Sequence, residues 1–356
     1  MVHESGSGDV SGSGGYNEDG KAVLQDLDLS FLSPRERARF LKEEQTEFTG
    51  LSSEQKRELE KAFPAIRFQE SMKAHTTLGV GGKAEAYVEV QSVEMLKSLF
   101  EFLKDSNIPY YLIGKGSNTL VRDGGVKGVV IQLLGDFQEY KVEQESGDDV
   151  FVSVGAGVST LKLVRWANEQ HLAGIERLSG VPGTLGGNIL TNAGTHIGSI
   201  DEIVEEVTML DKHGKEMTQK VKSIPFEYRR CKLPRGTIVL KALLKLQKDP
   251  EGKAAQHFKE LMERRRETQP ISQKSSGCMF KNDGKQAAAK LIDEAGLKGV
   301  RVGGARISDV HANYIVNEAN ASARDVIVLM GLVRDRVRQH SGVVLENEIF
   351  ILGEEK

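Results

Sequence analysis

Four glycine-rich turns carry the first sign of chemistry: LGVGG (78 to 82), IGKGSN (113 to 118), VGAGVST (154 to 160) and SGVPGTLGGNI (179 to 189). Backbone without a Cβ lets amide donors approach an anion closely, and several of these turns follow β-rich runs. None completes GxGxxG, since Gly114-Lys115-Gly116 continues into Ser117, Asn118 and Thr119, and none is a Walker A loop. A Rossmann dinucleotide fold and a P-loop NTPase are therefore disfavoured. One such turn alone is ordinarily a tight β-turn; four of them within residues 78 to 189 point to a phosphate-bearing ligand. Two further segments bring reactive side chains. Phe226-Glu227-Tyr228-Arg229-Arg230 sets an aromatic ring and two guanidinium groups just before a strand, and the planar guanidinium fork matches a carboxylate. Ser276-Gly277-Cys278-Met279-Phe280-Lys281-Asn282 sets a thiol in a glycine-adjacent turn. Read alone, Arg229 is a surface ion-pair partner and Cys278 a small buried apolar side chain. The run Arg264-Arg265-Arg266 reads as a solvated helix face without a role. Glu346 and Glu348 lie two apart in a strand pattern and so share a face, but the pattern does not single out a catalytic one.

These residues need a scaffold, and the chain of 356 residues is long enough for two or three domains. Its 48 Lys+Arg against 51 Asp+Glu give a net charge of −3, which offers no drive to coat nucleic acid. No apolar run reaches the roughly 18 residues a membrane span needs, and MVHESGSGDV has no secretory character, so the chain is expected in the cytosol. Cys231 and Cys278 stand far apart, and neither HExxH nor a tight His/Asp/Glu cluster occurs, so no disulfide framework and no bound metal are expected. Ten of the first 20 residues are Gly or Ser, which predicts a disordered tail to about residue 24. Ser33-Pro34 and the Ser52/Gln55 capping box each predict a charged helix, the second stopped by Pro64. Strands are predicted at 86 to 90, 110 to 113, 128 to 133, 150 to 154, 204 to 210 and 238 to 246, with helices at 93 to 105 and 160 to 171. The first helix suits a parallel crossover; the later strands suit antiparallel pairing and an α+β fold. Beyond a linker at 248 to 254, helices are predicted at 255 to 268, 286 to 296 and 323 to 342, then a strand at 343 to 352.

From about residue 65 to 354 the chain resembles the UDP-N-acetylmuramate dehydrogenases, also called UDP-N-acetylenolpyruvoylglucosamine reductases. The resemblance rests on HTTLGVGG (75 to 82), LIGKGSNTLV (112 to 121), LSGVPGTLGGNILTNAG (178 to 194), FEYRR (226 to 230), GCMFKN (277 to 282), KLIDEAGLKGVRVGGARISDVHANYIVN (290 to 317) and GVVLENEI (342 to 349), in the family's order. It implies a vanillyl-alcohol-oxidase-type FAD-binding fold of two subdomains (65 to 134 and 135 to 248), a C-terminal α/β substrate-binding domain (249 to 356), and a disordered, charged extension over residues 1 to 50. It further implies noncovalent FAD, NADPH as hydride donor, and reduction of the enolpyruvyl ether of UDP-N-acetylglucosamine to UDP-N-acetylmuramate. That step belongs to peptidoglycan precursor synthesis, and hence to cell wall biogenesis, cell shape, cell cycle and cell division. The implied partners are the UDP-sugar and NADPH, for a cytoplasmic monomer.

Carried over residue by residue, the resemblance puts the FAD pyrophosphate on Ile113, Gly114, Lys115, Gly116, Ser117 and Asn118, with further contacts from Val181, Pro182, Gly183, Gly186 and Gly187. Arg229 matches the arginine held against the enolpyruvyl carboxylate and Glu348 the catalytic carboxylate. Cys278 stands where many members have a proton-donating serine. Tyr228, Lys281, Asn282, Lys298 and His311 fall on the substrate side, Asn282 as a uracil contact and the last two near diphosphate and uridine. The spacing after Tyr228 has no room for the extra tyrosine loop of some members, which suggests the shorter subtype. Two departures touch substrate placement rather than reaction type: LGVGG replaces a commoner FRIGG, and NILTNAGTHIG replaces a run of small and aromatic residues. Two rivals are another FAD oxidoreductase of the superfamily and a nucleotide-sugar-binding protein without catalysis.

Overall fold

The structure, a computed structural model, describes residues 48–234, 236–284 and 286–356; the tail and the helix expected after Ser33-Pro34 lie outside the described residues. Ser52 and Gln55 make the reciprocal capping bonds that their spacing predicts and open α1 (Ser53–Ala62), which ends before Pro64. β1 (Arg67–Ser71), β2 (Lys83–Val90), β3 (Tyr110–Leu112) and, beyond β4 (Thr119–Val121), β5 (Val126–Leu133) follow. All but β4 form one sheet in the order β1-β2-β5-β3. α2 (Val93–Asp105) joins β2 to β3, and both strands run parallel to β5, so the helix is the crossover that the pattern suggested. Ser92 caps it by accepting from the Met95 amide at 3.2 Å. Leu96, Leu99, Phe100 and Leu103 recur on one face and are buried, which fixes the helix against the sheet.

The second sheet is antiparallel throughout, as expected. β6 (Tyr140–Ser146), β7 (Asp149–Gly155), β8 (Leu172–Ala173), β11 (Val204–Leu210), β12 (Glu216–Lys220) and β15 (Ile238–Lys248) line up as β12-β11-β15-β7-β6, with β8 beside β15. Between its strands run α3 (Thr160–Glu169), α4 (Leu185–Leu190) and two short ribbons, β9 (Gly194–Thr195) with β10 (Gly198–Ser199) and β13 (Phe226–Glu227) with β14 (Arg230–Cys231). After α5 (Lys253–Thr268), a third, antiparallel sheet has the order β16-β19-β18-β17. It is built from β16 (Ser275–Cys278), β17 (Arg301–Val302), β18 (Ala305–Ile307) and β19 (Tyr314–Asn317), with α6 (Ala288–Glu294) between the first two. α7 (Ala323–Ser341) starts on a Ser322/Asp325 capping box and stops at Gly342 in the left-handed region. Its Val326, Leu329, Met330, Val333 and Val337 pack in one core with Leu291, Ile292, Ile307 and Ile315.

One expectation fails. Only β20 (Phe350–Leu352) of the 343 to 352 strand forms, pairing in parallel with β4. The residues before it bond to the turn after β16 instead: Glu348 N–H donates to Met279 O at 2.8 Å and Lys281 N–H to Glu346 O at 2.8 Å. These bonds flank an antiparallel bridge between Phe280 and Asn347, and Lys281 acts on both Glu346 and Glu348, but the two carboxylates differ in enclosure. The Glu346 side chain is 73% exposed and the Glu348 side chain 22%.

Candidate active site

The turn between β3 and β4 is held from both sides. Gln132 donates to Gly114 O at 2.8 Å, Thr77 N–H donates to Gly116 O at 3.2 Å, and Lys115 Nζ donates to Ser159 Oγ at 2.8 Å. Gly116 has φ +58°, and a Cβ there would lie 2.1 Å from His75 O, so only glycine fits. Gly183, in the loop before α4, sits where a Cβ would be 3.0 Å from Ser117 Oγ; the two glycine turns are neighbours. Among the described residues no acceptor takes the amides of Gly114, Lys115, Gly116 or Ser117. Four consecutive donors left without an internal partner form a nest suited to a pyrophosphate. Ile113 is buried and spends its amide on Ile131 O at 2.9 Å, and Gly186 spends its own on Ala156 O at 2.9 Å, so neither backbone donor is available to a ligand. Gly187 is open: a Cβ there meets nothing nearer than Thr184 Oγ1 at 3.6 Å. Ser179 Oγ, buried in the loop leading to Val181 and Pro182, has no hydrogen-bond partner among the described residues. These features fit a bound dinucleotide such as FAD.

The charged centre is assembled from three distant segments. Tyr228 and Arg229 are the two loop residues of the β13-β14 hairpin, not a lead-in to a longer strand. Arg229 holds φ +57°, a position such a turn usually gives to glycine or asparagine, so the surroundings must keep this arginine in place. They do so through Gly194 O, which accepts from Arg229 Nη1 at 3.1 Å, and through Glu348, whose Oε1 lies 3.2 Å from Arg229 Nε. The ion-pair distance is met but hydrogen-bond geometry is not, and Nε is buried without a hydrogen-bond partner. The guanidinium also lies 5.4 Å from the ring centre of Tyr228, which is 58% exposed. Glu348 is anchored to the glycine turn of residues 113 to 118, because Asn118 Nδ2 donates to its carbonyl at 3.2 Å. Burial raises the Glu348 pKa, while Arg229 and Lys281 pull it down.

Cys278 ends β16, where a register shift after Ser275 and Gly277 at φ +76° re-aim the chain. Its thiol is crowded by protein, and burial first, then the Glu348 charge, push its pKa up to about 12 against the opposing pull of Arg229, Arg265 and a hydrogen bond from Tyr314. The thiol stays protonated through neutral pH. Cys231, the other free cysteine, is buried outside this cluster.

The remaining expected residues are spread more widely. Lys281 lies close enough to act on Glu348 but pairs with Glu346. Asn282 Oδ1 accepts from Ala288 N–H at 2.9 Å, which holds the start of α6 and leaves only its amide nitrogen for a ligand. Lys298 pairs with Asp293 at 2.7 Å and, with His311, lines a cavity of about 620 Å³. Burial lowers the His311 pKa, and its ring meets Tyr314 edge-on at 4.7 Å. A larger cavity of about 750 Å³ around Tyr140 and Trp166 contains none of the expected residues. Arg265 corrects the reading of Arg264-Arg265-Arg266 as wholly solvated. It packs on Gly180, where a Cβ would be 2.4 Å from Arg265 Cδ, and burial lowers its pKa beside Tyr314 and Cys278. The helical phase carried that signal: Ala254, Phe258, Leu261 and Arg265 recur on one face, all withdrawn from full exposure. Among the described residues no group of three or more His, Cys, Asp or Glu is placed to hold a metal.

An anion nest of free amides thus lies beside an arginine, a protonated thiol and a carboxylate, and residues 84–219 match the family profile described as an FAD binding domain. Residues 269–352 match the profile of the UDP-N-acetylenolpyruvoylglucosamine reductase C-terminal domain. UDP-N-acetylenolpyruvoylglucosamine reductases from Clostridium tetani (37% identical, covering 82% of this chain and 93% of the relative) and Syntrophobacter fumaroxidans (38%, covering 82% and 85%) are similar nearly throughout. The crystal structure of the enzyme from Thermus caldophilus superposes with a TM-score of 0.70 at 38% identity, covering 81% of this chain and 98% of that one. The chain belongs to the UDP-N-acetylenolpyruvoylglucosamine reductase family, FAD-dependent oxidoreductases of peptidoglycan synthesis.

Proposed function

We propose that the family reaction, the NADPH-dependent reduction of the enolpyruvyl ether of UDP-N-acetylglucosamine to UDP-N-acetylmuramate, runs here on Arg229, Cys278 and Glu348. What supports this reading above all is the 3.2 Å approach of Arg229 to Glu348 beside a thiol held protonated. Bound FAD, held by the Gly114 to Asn118 turn with Gly183 and Gly187 alongside, supplies the hydride chemistry between NADPH and the sugar.

Arg229 offers its fork to the substrate carboxylate, where negative charge grows as C3 receives hydride. A preorganised guanidinium acts most strongly on such charge in a water-poor site. Glu348 orients Arg229, and its own charge keeps the Cys278 proton in place. Cys278 then gives that proton to C2, completing a saturated lactyl ether. Tyr228, exposed beside Arg229, and Lys281, close enough to act on Glu348, are assigned to the substrate side of this centre, and Asn282, Lys298 and His311 to the nucleotide end of the substrate. No helix among the described residues is long and apolar enough to cross a membrane. Water-soluble nucleotide substrates suit a cytoplasmic enzyme whose product feeds wall growth, cell shape and division.

The test is anaerobic. Bound flavin is bleached with NADPH, the enolpyruvyl sugar is added, and absorbance is followed. Return of the oxidised spectrum with formation of UDP-N-acetylmuramate is expected. Bleaching without return, despite measurable sugar binding, would instead mark a binding protein that has lost catalysis.

A further inference from the structure

α4 ends at Leu190, and two residues further on Asn192 takes φ +42°, the left-handed conformation that closes a helix and that glycine or asparagine usually supplies. Its own amide donates to Ile189 O at 3.1 Å and the Ala193 amide to Asn188 O at 2.8 Å, so the backbone of this turn is complete without a side chain. Asn192 is nevertheless buried, and its side chain joins two other segments: Nδ2 donates to Glu227 O at 3.1 Å, and Oδ1 accepts from Asp201 N–H at 3.4 Å. Glu227 ends β13, directly before the loop residues Tyr228 and Arg229. The β13-β14 hairpin has only the pairs Phe226 with Cys231 and Glu227 with Arg230, too short a ribbon to be stable by itself. The Lys232 N–H to Pro225 O bond at 2.9 Å and the Lys232–Glu227 ion pair close the hairpin on itself. The segment after α4 ties it down from outside, through Asn192 to Glu227 O and through Gly194 O to Arg229 Nη1 at 3.1 Å. The second tie occupies a corner of the guanidinium; the first uses only backbone of the hairpin and can hold the loop while the guanidinium changes partners.

We propose that Asn192 is a positioning residue for the sugar half-reaction: through Glu227 O it docks the hairpin tip and so presents Arg229 to the substrate carboxylate beside Glu348. This rests on the assignment of Arg229 to that carboxylate. Glycine would satisfy the turn at residue 192 equally well, but only a side chain with both a donor and an acceptor joins Glu227 O to the Asp201 amide. Arg229 itself holds φ +57°, so a loop released from Asn192 relaxes away from the geometry the arginine needs. A displacement of about 1 Å in such a group costs up to about 10²-fold in rate.

The experiment uses the FAD-loaded full chain with two substitutions. Asn192→Gly keeps the left-handed turn and deletes the side chain; Asn192→Asp keeps the shape and the oxygen toward Asp201 but deletes the donor to Glu227 O. In stopped-flow traces both should leave flavin reduction by NADPH as in wild type and slow reoxidation by the enolpyruvyl sugar about 10- to 100-fold, with the Tm of Asn192→Gly unchanged. Slowing alone would also follow from a loosened fold, so each substitution is combined with Arg229→Lys. Residues that act through one another give losses that do not add in free energy. If Asn192 works through the planar fork, the double variants should reoxidise within about threefold of Arg229→Lys alone. Losses that multiply in full would show that Asn192 acts elsewhere, and that result overturns the proposal. So does an equal fall in both half-reactions, or wild-type reoxidation in both single variants while Arg229→Lys is slow. Wild-type reoxidation in Arg229→Lys would remove the assignment of Arg229 itself, and the proposal with it.

Discussion

Cys278 separates a packed thiol from a working one. If it protonates C2, Cys278→Ala should slow reoxidation of the reduced flavin by the sugar roughly 10² to 10⁴-fold, the usual worth of a positioned acid, while NADPH still reduces the flavin normally. Cys278→Ser should restore much of the loss, and stopped-flow traces of the two half-reactions check both. The pH dependence follows from the sign of the shift. An ordinary thiol ionises near pH 8.5, but burial and Glu348 push this one up to about 12, so the acid form persists, and the sugar half-reaction should hold its rate well past pH 9. A fall centred near 8.5 would show that substrate or cofactor opens the site to water. Arg229→Lys keeps the charge and the same backbone options but loses the planar fork. It should lower kcat/KM for the sugar by roughly 10² to 10³, the scale of one lost oxyanion donor, and leave the NADPH step intact. Sequence reading named Arg229, Cys278 and Glu348 only through motif resemblance. No local pattern could bring them together, because their meeting depends on the bonding of residues 346 to 348 with 279 to 281 and on a positive φ at Arg229. Arg265 was missed although its helical phase was legible.

At the scale of elements, periodicity served well where one face is buried and poorly where backbone pairs irregularly. α2, α7 and β11 form over the residues their patterns predict, because capping residues and buried stripes fix both ends and phase. The 343 to 352 strand is broken up because its pairing changes partner along its length, a single bridge from Asn347 to Phe280 and then the parallel β20 beside β4, and hydrophobic alternation does not encode a partner. The glycine turns allow a paired prediction. Gly116→Ala places a methyl 2.1 Å from His75 O at positive φ, so the chain must shift even without ligand; the loss should be about 1–3 kcal/mol of stability, seen as a lower Tm of the apoprotein. Gly187→Ala meets only Thr184 Oγ1 at 3.6 Å within a helix that alanine favours. It should leave the apoprotein Tm unchanged and weaken FAD binding in a fluorescence titration, because the space it fills is the space proposed for the cofactor. Unaltered FAD affinity in Gly187→Ala would place the cofactor elsewhere along the turn.

On the scale of the whole molecule, the two ends of the described chain matter in different ways. The C-terminal β20 lies in parallel with β4, next to the turn that anchors Glu348 through Asn118, so the last strand couples the charged centre to the turn of residues 113 to 118. The N-terminal end is subtler. The composition of residues 1 to 50 predicts an extension that does not contribute to the site, and the family likeness begins only near residue 65. Yet Leu51 is 6% exposed and its amide donates to Glu85 Oε1 at 2.7 Å. Glu85 also accepts from Gly128 N–H at 3.1 Å and pairs with Lys56 at 3.3 Å, with its side chain 13% exposed. A carboxylate so enclosed needs its donors, so the exact point of truncation decides the outcome. Deleting residues 1 to 47 should leave turnover within about threefold and Tm unchanged. Deleting residues 1 to 51 removes one apolar side chain and one charge-assisted bond, together worth about 2–4 kcal/mol, and should lower Tm by several degrees while the half-reaction rates below that temperature stay as they were. Parallel melting curves and stopped-flow traces of the two deletions separate a structural staple from a functional arm. A fall in turnover of more than about tenfold after the shorter deletion, equivalent to about 1.4 kcal/mol of barrier, would mean that the extension takes part in catalysis.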